Sequence, residues 1–192
     1  MPDMKGSKTE KNLLKAFAGE SQARNRYTFF ASVARNEGYV QIQRIFEETA
    51  ANEKEHAEVF FKYLKDGGMV EITAEYPAGR IGSTAENLLE AAEGEKLEWG
   101  TLYPDFEKVA REEGFMDVAE SFEEIAEVEE EHEKRYRKLL ANVKNGTVFK
   151  RDEEVEWHCL NCGYIHHGKE APEICPACKH ARDYYELHIP NY

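Results

Sequence analysis

Residues 12 to 20 read NLLKAFAGE, and 75 positions later residues 87 to 95 read NLLEAAEGE. Tyr27, Phe30, Ala34, Arg35, Gly38, Glu53 and His56 then recur as Tyr103, Phe106, Ala110, Arg111, Gly114, Glu129 and His132, now 76 positions on, so one residue has been inserted. Helical periodicity runs through both copies. An amphipathic helix pair cannot bury its apolar stripe alone, so the two copies must pack against each other. The repeat therefore predicts a mainly α four-helix bundle with pseudo-twofold symmetry.

Helix start and stop signals divide the bundle. SKTE, residues 7 to 10, reads as a capping box opening a helix to about Asn36, and Gly38-Tyr39 breaks it. A second helix runs to about Asp66, where Gly67-Gly68 stops it. Met69 to Gly82 contains Pro77 and is too long for a tight turn, which makes it a crossover connection. STAE, residues 83 to 86, is a second capping box. The third helix reaches about Glu113 with a kink expected at Pro104, Gly114 breaks it, and the fourth ends at Asn145-Gly146. From Thr147 the periodicity stops and Cys, Pro, Gly and aromatic residues crowd together. The expected domains are residues 1–146 and 147–192. The second is too small to bury much core, so a bound metal is its expected staple.

The chain has 192 residues and a formal net charge of −13. Such a surface repels phosphate, which argues against nucleic acid and anionic membranes as partners. No apolar run approaches a membrane span, and MPDMKGSKTEKNLL lacks the hydrophobic region of a signal peptide. A cytoplasmic protein is expected. All 4 cysteines fall between 159 and 178, a clustering that in a reducing compartment points to metal rather than disulfides.

Each helical stripe is apolar except near its middle, where each carries glutamate: Glu20, then Glu53 with His56, then Glu95 with Glu98 one turn on, then Glu129 with His132. Neighbouring acids such as Glu55 and Glu130 read as solvated surface charges, but these residues share a face with aromatics. Unpaired carboxylates in one core cost several kcal/mol each, or about that order, unless they protonate or find cations. Only Arg24 is a candidate cation near that level. A pair of metal ions is the simpler solution. One Glu from each of two helices and Glu-x-x-His from each of the other two is the di-iron carboxylate pattern. Residues i and i+3 lie on one face, so a single helix supplies both a carboxylate and an imidazole. This donor set suits iron or manganese. Glu98 has no glutamate counterpart in the first copy; its spacing fits either a fifth carboxylate ligand or a stripe-edge residue reaching solvent. Five carboxylates nearly balance two ferrous or two ferric ions. Tyr27 and Tyr103, two turns beyond Glu20 and Glu95, pack the core, and their hydroxyls need partners that the carboxylates supply.

Cys159-Leu-Asn-Cys162 and Cys175-Pro-Ala-Cys178 are two C-x-x-C units, the spacing of four thiolates around one tetrahedral metal, zinc or iron. Trp157, Tyr164, Tyr184 and Tyr185 offer an aromatic core around it. Gly163 suits a turn in which backbone N–H groups approach sulfur.

GESQARNRY (19–27), the Glu-x-x-His of NEKEH (52–56), GEKLE (94–98), the Glu-x-x-His of EEEH (129–132), CLNCGY and CPAC together resemble the rubrerythrins across essentially the whole chain. The resemblance implies a ferritin-like four-helix bundle with a long crossover connection, followed by a small rubredoxin-like domain. It implies two non-haem irons held by Glu20, Glu53, Glu95, Glu98, Glu129 and His132, with His56 replacing Glu98 when the site is reduced. A third iron would be held by Cys159, Cys162, Cys175 and Cys178. The implied activity is reduction of hydrogen peroxide to water in oxidative-stress defence, with electrons relayed through the four-cysteine iron from a redox donor protein of rubredoxin or reductase type. Tyr27 and Tyr103 are candidate proton-handling residues. A homodimer or higher homo-oligomer is implied as well. The alternative is a ferroxidase or iron-handling protein of the ferritin type. One position departs from the rubredoxin pattern: Lys179 stands where glycine usually follows the last cysteine.

Overall fold

The computed structural model describes residues 3–191. The chain forms α1 (Lys8–Asn36), α2 (Val40–Tyr63), α3 (Thr84–Leu97), a π-helical turn (Glu98–Leu102), α4 (Tyr103–Glu112), α5 (Met116–Lys144), and strands β1 (Lys150–Cys159), β2 (Ile165–Glu170) and β3 (Tyr185–Leu187). α3, the π turn and α4 follow one another without a break and act as the third rod of a four-helix bundle.

The helix ends follow from their capping residues. Ser83 forms a complete capping box: its hydroxyl faces the Glu86 N–H while the Glu86 carboxylate accepts from the Ser83 N–H at 2.9 Å. At Ser7 only half of the expected box forms. The Ser7 hydroxyl accepts from the Glu10 N–H at 2.9 Å, but the Glu10 carboxylate takes the Gly6 N–H instead, because the Ser7 N–H is bonded to Met4 O. The duplication is visible in the stops. Tyr39 N–H donates to Ala34 O and Phe115 N–H to Ala110 O, both at 2.8 Å, around Gly38 and Gly114 with φ of +84° in each. Both copies thus close with the same left-handed glycine motif. α2 ends three residues short of Asp66, since Leu64 turns back onto the apolar cluster around Phe60 and its N–H closes on Phe61 O.

Pro104 is not the centre of the irregularity in the third rod. The Tyr103 N–H reaches back five residues to Glu98 O, and Pro104 lies at the start of α4, where a missing N–H costs little. A π turn is one residue inserted into an α-helix. It lies between Glu95, where the copies are 75 apart, and Tyr103, where they are 76 apart, so it is the insertion that the repeat displays.

The bundle interior is split in two. Tyr27, Phe30, Phe46, Leu88 and Tyr136 pack at the end near the α1–α2 turn; Leu13, Phe60, Tyr103 and Phe122 pack at the other. Their ring pairs correspond under the repeat: Tyr27–Phe46 at 6.0 Å and Phe46–Tyr136 at 5.2 Å in one, Tyr103–Phe122 at 5.8 Å and Phe122–Phe60 at 4.9 Å in the other. The glutamate belt lies between them.

Beyond α5, β1 is the middle strand of a three-stranded antiparallel sheet in the order β2-β1-β3. Trp157, Tyr185, Cys159 and Cys175 form a separate small core. The sheet unit rests on the α1–α2 end of the bundle. Tyr39 stacks on Phe149 at 6.2 Å, and Arg44 donates to Leu160 O at 3.2 Å. Gly38 is needed here twice over, for its positive φ and because a Cβ would lie 3.0 Å from the Asp183 carboxyl carbon. Among the described residues no helix is long and apolar enough to cross a membrane.

Candidate metal centres

Helical spacing turns one face of each rod inward, and the belt residues meet there. Glu20, Glu53, Glu95 and Glu129 are each at most 1% exposed, which leaves them no route to bulk water. Two overlapping groups form: Glu20, Glu53, His56 and Glu129, and Glu53, Glu95, Glu129 and His132, with donor atoms within 4.8 Å of one another in each. Glu53 and Glu129 belong to both groups. Each turns one oxygen to each side. Glu129 Oε1 lies 2.8 Å from His56 Nδ1 and its Oε2 2.7 Å from His132 Nδ1. Glu53 Oε2 is 3.0 Å from His56 Nδ1 and its Oε1 3.4 Å from His132 Nδ1. The outer carboxylates are held by phenols: Tyr27 donates to Glu95 Oε1 at 2.6 Å and Tyr103 donates to Glu20 Oε1.

The remaining donor atoms fit metal. Glu20 Oε2, Glu53 Oε1, Glu95 Oε2, both Glu129 oxygens and His132 Nδ1 are buried without a hydrogen-bond partner among the described residues. Short distances without hydrogen-bond geometry are what atoms converging on shared centres display. Native proteins rarely leave so many buried polar atoms orphaned. Shared carboxylates flanked by one Glu and one His on each side make a two-metal site.

The charges depend on one another. Burial pushes the Glu20 and Glu95 carboxyls well above the usual carboxylate range. Burial opposes a charged His56, but the carboxylates of Glu129 and Glu53 outweigh it and push its pKa up to about 10. His132, under the same balance, rises to about 9.

Glu98 stands outside both groups. It opens the π turn, is half-buried, and directs Oε1 towards α1, 3.6 Å from where a Cβ on Gly19 would sit. Burial, then Glu129 and Glu53, push its carboxyl up to about 8. The structure thus gathers His56 into the donor groups and holds Glu98 beside Glu95 at their edge. Arg24, the one cation expected near the belt, is exposed. Arg26 takes that place on the inner side, bonded to Gln22 at 2.7 Å and Glu90 at 3.2 Å. Tyr136 was legible only as a core residue, yet its buried hydroxyl is raised well above the usual phenol range by burial and then by Glu95. Its position one turn beyond His132 on the apolar stripe was the available signal.

The four cysteines close the second site. Cys159 Sγ and Cys178 Sγ lie 3.8 Å apart, Cys162 Sγ and Cys175 Sγ 3.7 Å. A tetrahedron with metal–sulfur bonds of about 2.3 Å has edges of about 3.8 Å, so the sulfurs already stand at metal-binding separations. Two matching turns hold them. Gly163 N–H donates to Cys159 O at 2.8 Å and Lys179 N–H to Cys175 O at 2.9 Å. Lys179 adopts φ of +64°, the left-handed conformation that Gly163 has at +80°. The departure from glycine therefore leaves the turn intact. Beyond it the His180 N–H meets Cys178 and holds its thiol down to about 5.

Fold and donor sets define a ferritin-like di-iron carboxylate bundle joined to a rubredoxin-like four-cysteine unit. Comparison with known proteins agrees. The rubrerythrin family model matches residues 11–140, and the model for the rubrerythrin rubredoxin-like domain matches residues 157–186. The chain belongs to the rubrerythrin family. It is 61% identical to a rubrerythrin of Porphyromonas gingivalis, covering 98% of this chain and 94% of that one. It is 52% identical to a rubrerythrin of Nitratidesulfovibrio vulgaris, covering 97% of each. Among solved structures, fully reduced, all-ferrous nigerythrin superposes with a TM-score of 0.64 at 33% identity, covering 96% of this chain and 91% of that one.

Proposed function

We propose that the protein is a non-haem di-iron peroxidase that reduces hydrogen peroxide to water in oxidative-stress defence. The observation that carries this reading is the pairing, in one chain, of a buried two-metal carboxylate site with a separate four-thiolate site. Storage of iron needs only the first; a turnover cycle that consumes electrons needs an inlet. In this reading two irons would be held by Glu20, Glu53, His56, Glu95, Glu129 and His132, with Glu53 and Glu129 belonging to both donor groups. Glu98 would be a further ligand, alternating with His56 between redox states. Cys159, Cys162, Cys175 and Cys178 hold the third iron, in a domain proposed to span residues 147–192 after the bundle of residues 1–146.

When bound, the iron pair supplies two electrons and Lewis acidity, and peroxide takes these with two protons to give two waters. The chain's own residues do the rest. Tyr27 and Tyr103 hold Glu95 and Glu20 by their phenols, leaving each carboxylate one oxygen for metal. The two aromatic clusters exclude bulk water from above and below the belt. Tyr103 and Glu98 are protonatable groups that line the cavity beside the belt. The backbone N–H groups beside the cysteines stabilise thiolate and so favour metal binding there. The relatives named rubrerythrin and the several redox states in which nigerythrin has been solved support a redox role. A cytoplasmic homodimer or higher homo-oligomer, reduced by a rubredoxin- or reductase-type donor, is the proposed working form.

Rapid mixing of the anaerobically reduced protein with peroxide and, separately, with O2 tests the activity. Oxidation at least tenfold faster by peroxide is expected. Equal rates would sink the proposal and return the ferroxidase reading.

A further inference from the structure

The four belt carboxylates have no direct opening to solvent, so any oxidant must pass a side chain to reach them. A cavity of about 390 Å3 lies between α1 and the third rod, under the crossover. Glu98, Tyr103, Arg26 and Leu97 line it, together with Tyr76 of the crossover. It is roomy beside the roughly 30 Å3 that a water occupies in the liquid. Selection by size must therefore happen at a constriction rather than through the cavity's volume.

Tyr76 and Gly19 make such a constriction. The Tyr76 hydroxyl donates to Lys15 O at 2.8 Å, which pins the ring onto α1. A Cβ on Gly19 would lie 3.8 Å from that ring and 3.6 Å from Glu98 Oε1, so the ring and the carboxylate converge on one spot of the helix. Glycine in the middle of a helix costs about 0.5–1 kcal/mol relative to alanine, and here it leaves the floor of the passage bare. Beyond lies Glu98, the one carboxylate outside the cluster. A second groove, lined by Glu48, Asn52 and Arg135, meets the site at His132, which is itself a donor of the belt.

We propose that this cavity admits hydrogen peroxide to the two-metal site and that Tyr76 determines the size of oxidant it accepts: the ring passes HOOH to Glu98 and holds out hydroperoxides with a bulky organic group. This rests on the peroxidase reading. Tyr76 sits on the crossover, outside both aromatic cores, so its replacement spares the fold.

The test compares the iron-loaded wild type with Tyr76→Ala and Tyr76→Phe. The first measurement is kcat/KM for hydrogen peroxide and for cumene hydroperoxide. The second needs no turnover: the rate at which a bulky ferrous chelator removes iron from the reduced bundle, followed by the colour of its complex. In Tyr76→Ala the ratio of cumene hydroperoxide to peroxide activity is expected to rise at least tenfold, with iron extraction accelerated similarly. Tyr76→Phe keeps the ring but loses its hydrogen bond to Lys15 O, so its selectivity and extraction rate are expected to fall between those of wild type and Tyr76→Ala. A ratio and an extraction rate both unchanged in Tyr76→Ala overturn the gate. If the wild type fails to reduce peroxide, the proposed function falls by itself, and the extraction rates still decide whether Tyr76 closes the passage.

Discussion

At the scale of single residues, the belt is a set of groups that none of the neighbouring helices could tolerate alone. Glu95 shows the logic. One oxygen takes the Tyr27 hydroxyl at 2.6 Å and the other is left unpaired. Removing the hydroxyl frees a buried carboxylate to rotate and deprives it of the Tyr27 hydrogen bond. Tyr27→Phe is therefore expected to weaken iron binding in the bundle by about tenfold to a hundredfold while helix content stays unchanged. Competition with a chelator and far-ultraviolet circular dichroism check the two halves of that expectation. The Glu-x-x-His pairs were legible in the sequence because an i, i+3 spacing fixes a shared face whatever the packing. The cation was misplaced for the same geometric reason. Arg24 and Arg26 are two positions apart, about 200° around the helix, and only packing decides which one faces inward. The occupancy of Glu98 was left open by its spacing, since a residue at the edge of a stripe turns either way.

At the scale of elements, two irregularities carry the chemistry. The π turn accounts for the change of offset between the two copies and places Glu98 at its first residue. Pro104 drew attention in the sequence as the usual cause of a kink, but it only marks where regular helix resumes. The cysteine turns are the second irregularity. Lys179 holds a positive φ that glycine adopts freely, at a cost of about 1 kcal/mol or more for a side-chain-bearing residue. Lys179→Gly is expected to stabilise the metal-bound unit by about 1 kcal/mol. The shift is read from thermal loss of the thiolate–metal absorption band, and an unchanged midpoint would count against stored strain. The backbone hydrogen bonds at this turn match those at Gly163, so that band's position should not move.

At the scale of the whole molecule, two apolar clusters enclose a polar belt that metal neutralises. Without metal, protonated histidines perform that task. The folded pKa values of His56 and His132, about 10 and about 9, lie above the roughly 6.5 of an unfolded histidine. A group raised on folding stabilises fully below its unfolded pKa and loses that contribution as pH climbs through the folded one. Glu20 and Glu95 are raised too, so they act in the same direction. The metal-free protein is expected to lose about 5 °C or more in Tm between pH 6.5 and pH 10. The iron-loaded protein, whose donors are already deprotonated, loses that slope. Scanning calorimetry across that range distinguishes the two, and equal slopes would mean that the belt is not where the protons sit.

The amino-acid order alone determined the duplication, the four-rod bundle, the candidate donor residues on each rod and the four-cysteine spacing. All of these rest on spacing along one helix or one turn, and local geometry translates spacing into direction without knowledge of the rest of the chain. The tertiary structure decided which donors converge, that Glu53 and Glu129 are shared while Glu98 lies at the edge, that Arg26 rather than Arg24 faces inward, and that Tyr76 lines the cavity. These depend on how rods rotate against one another and where an aperiodic crossover comes to rest, and no period in the sequence encodes either.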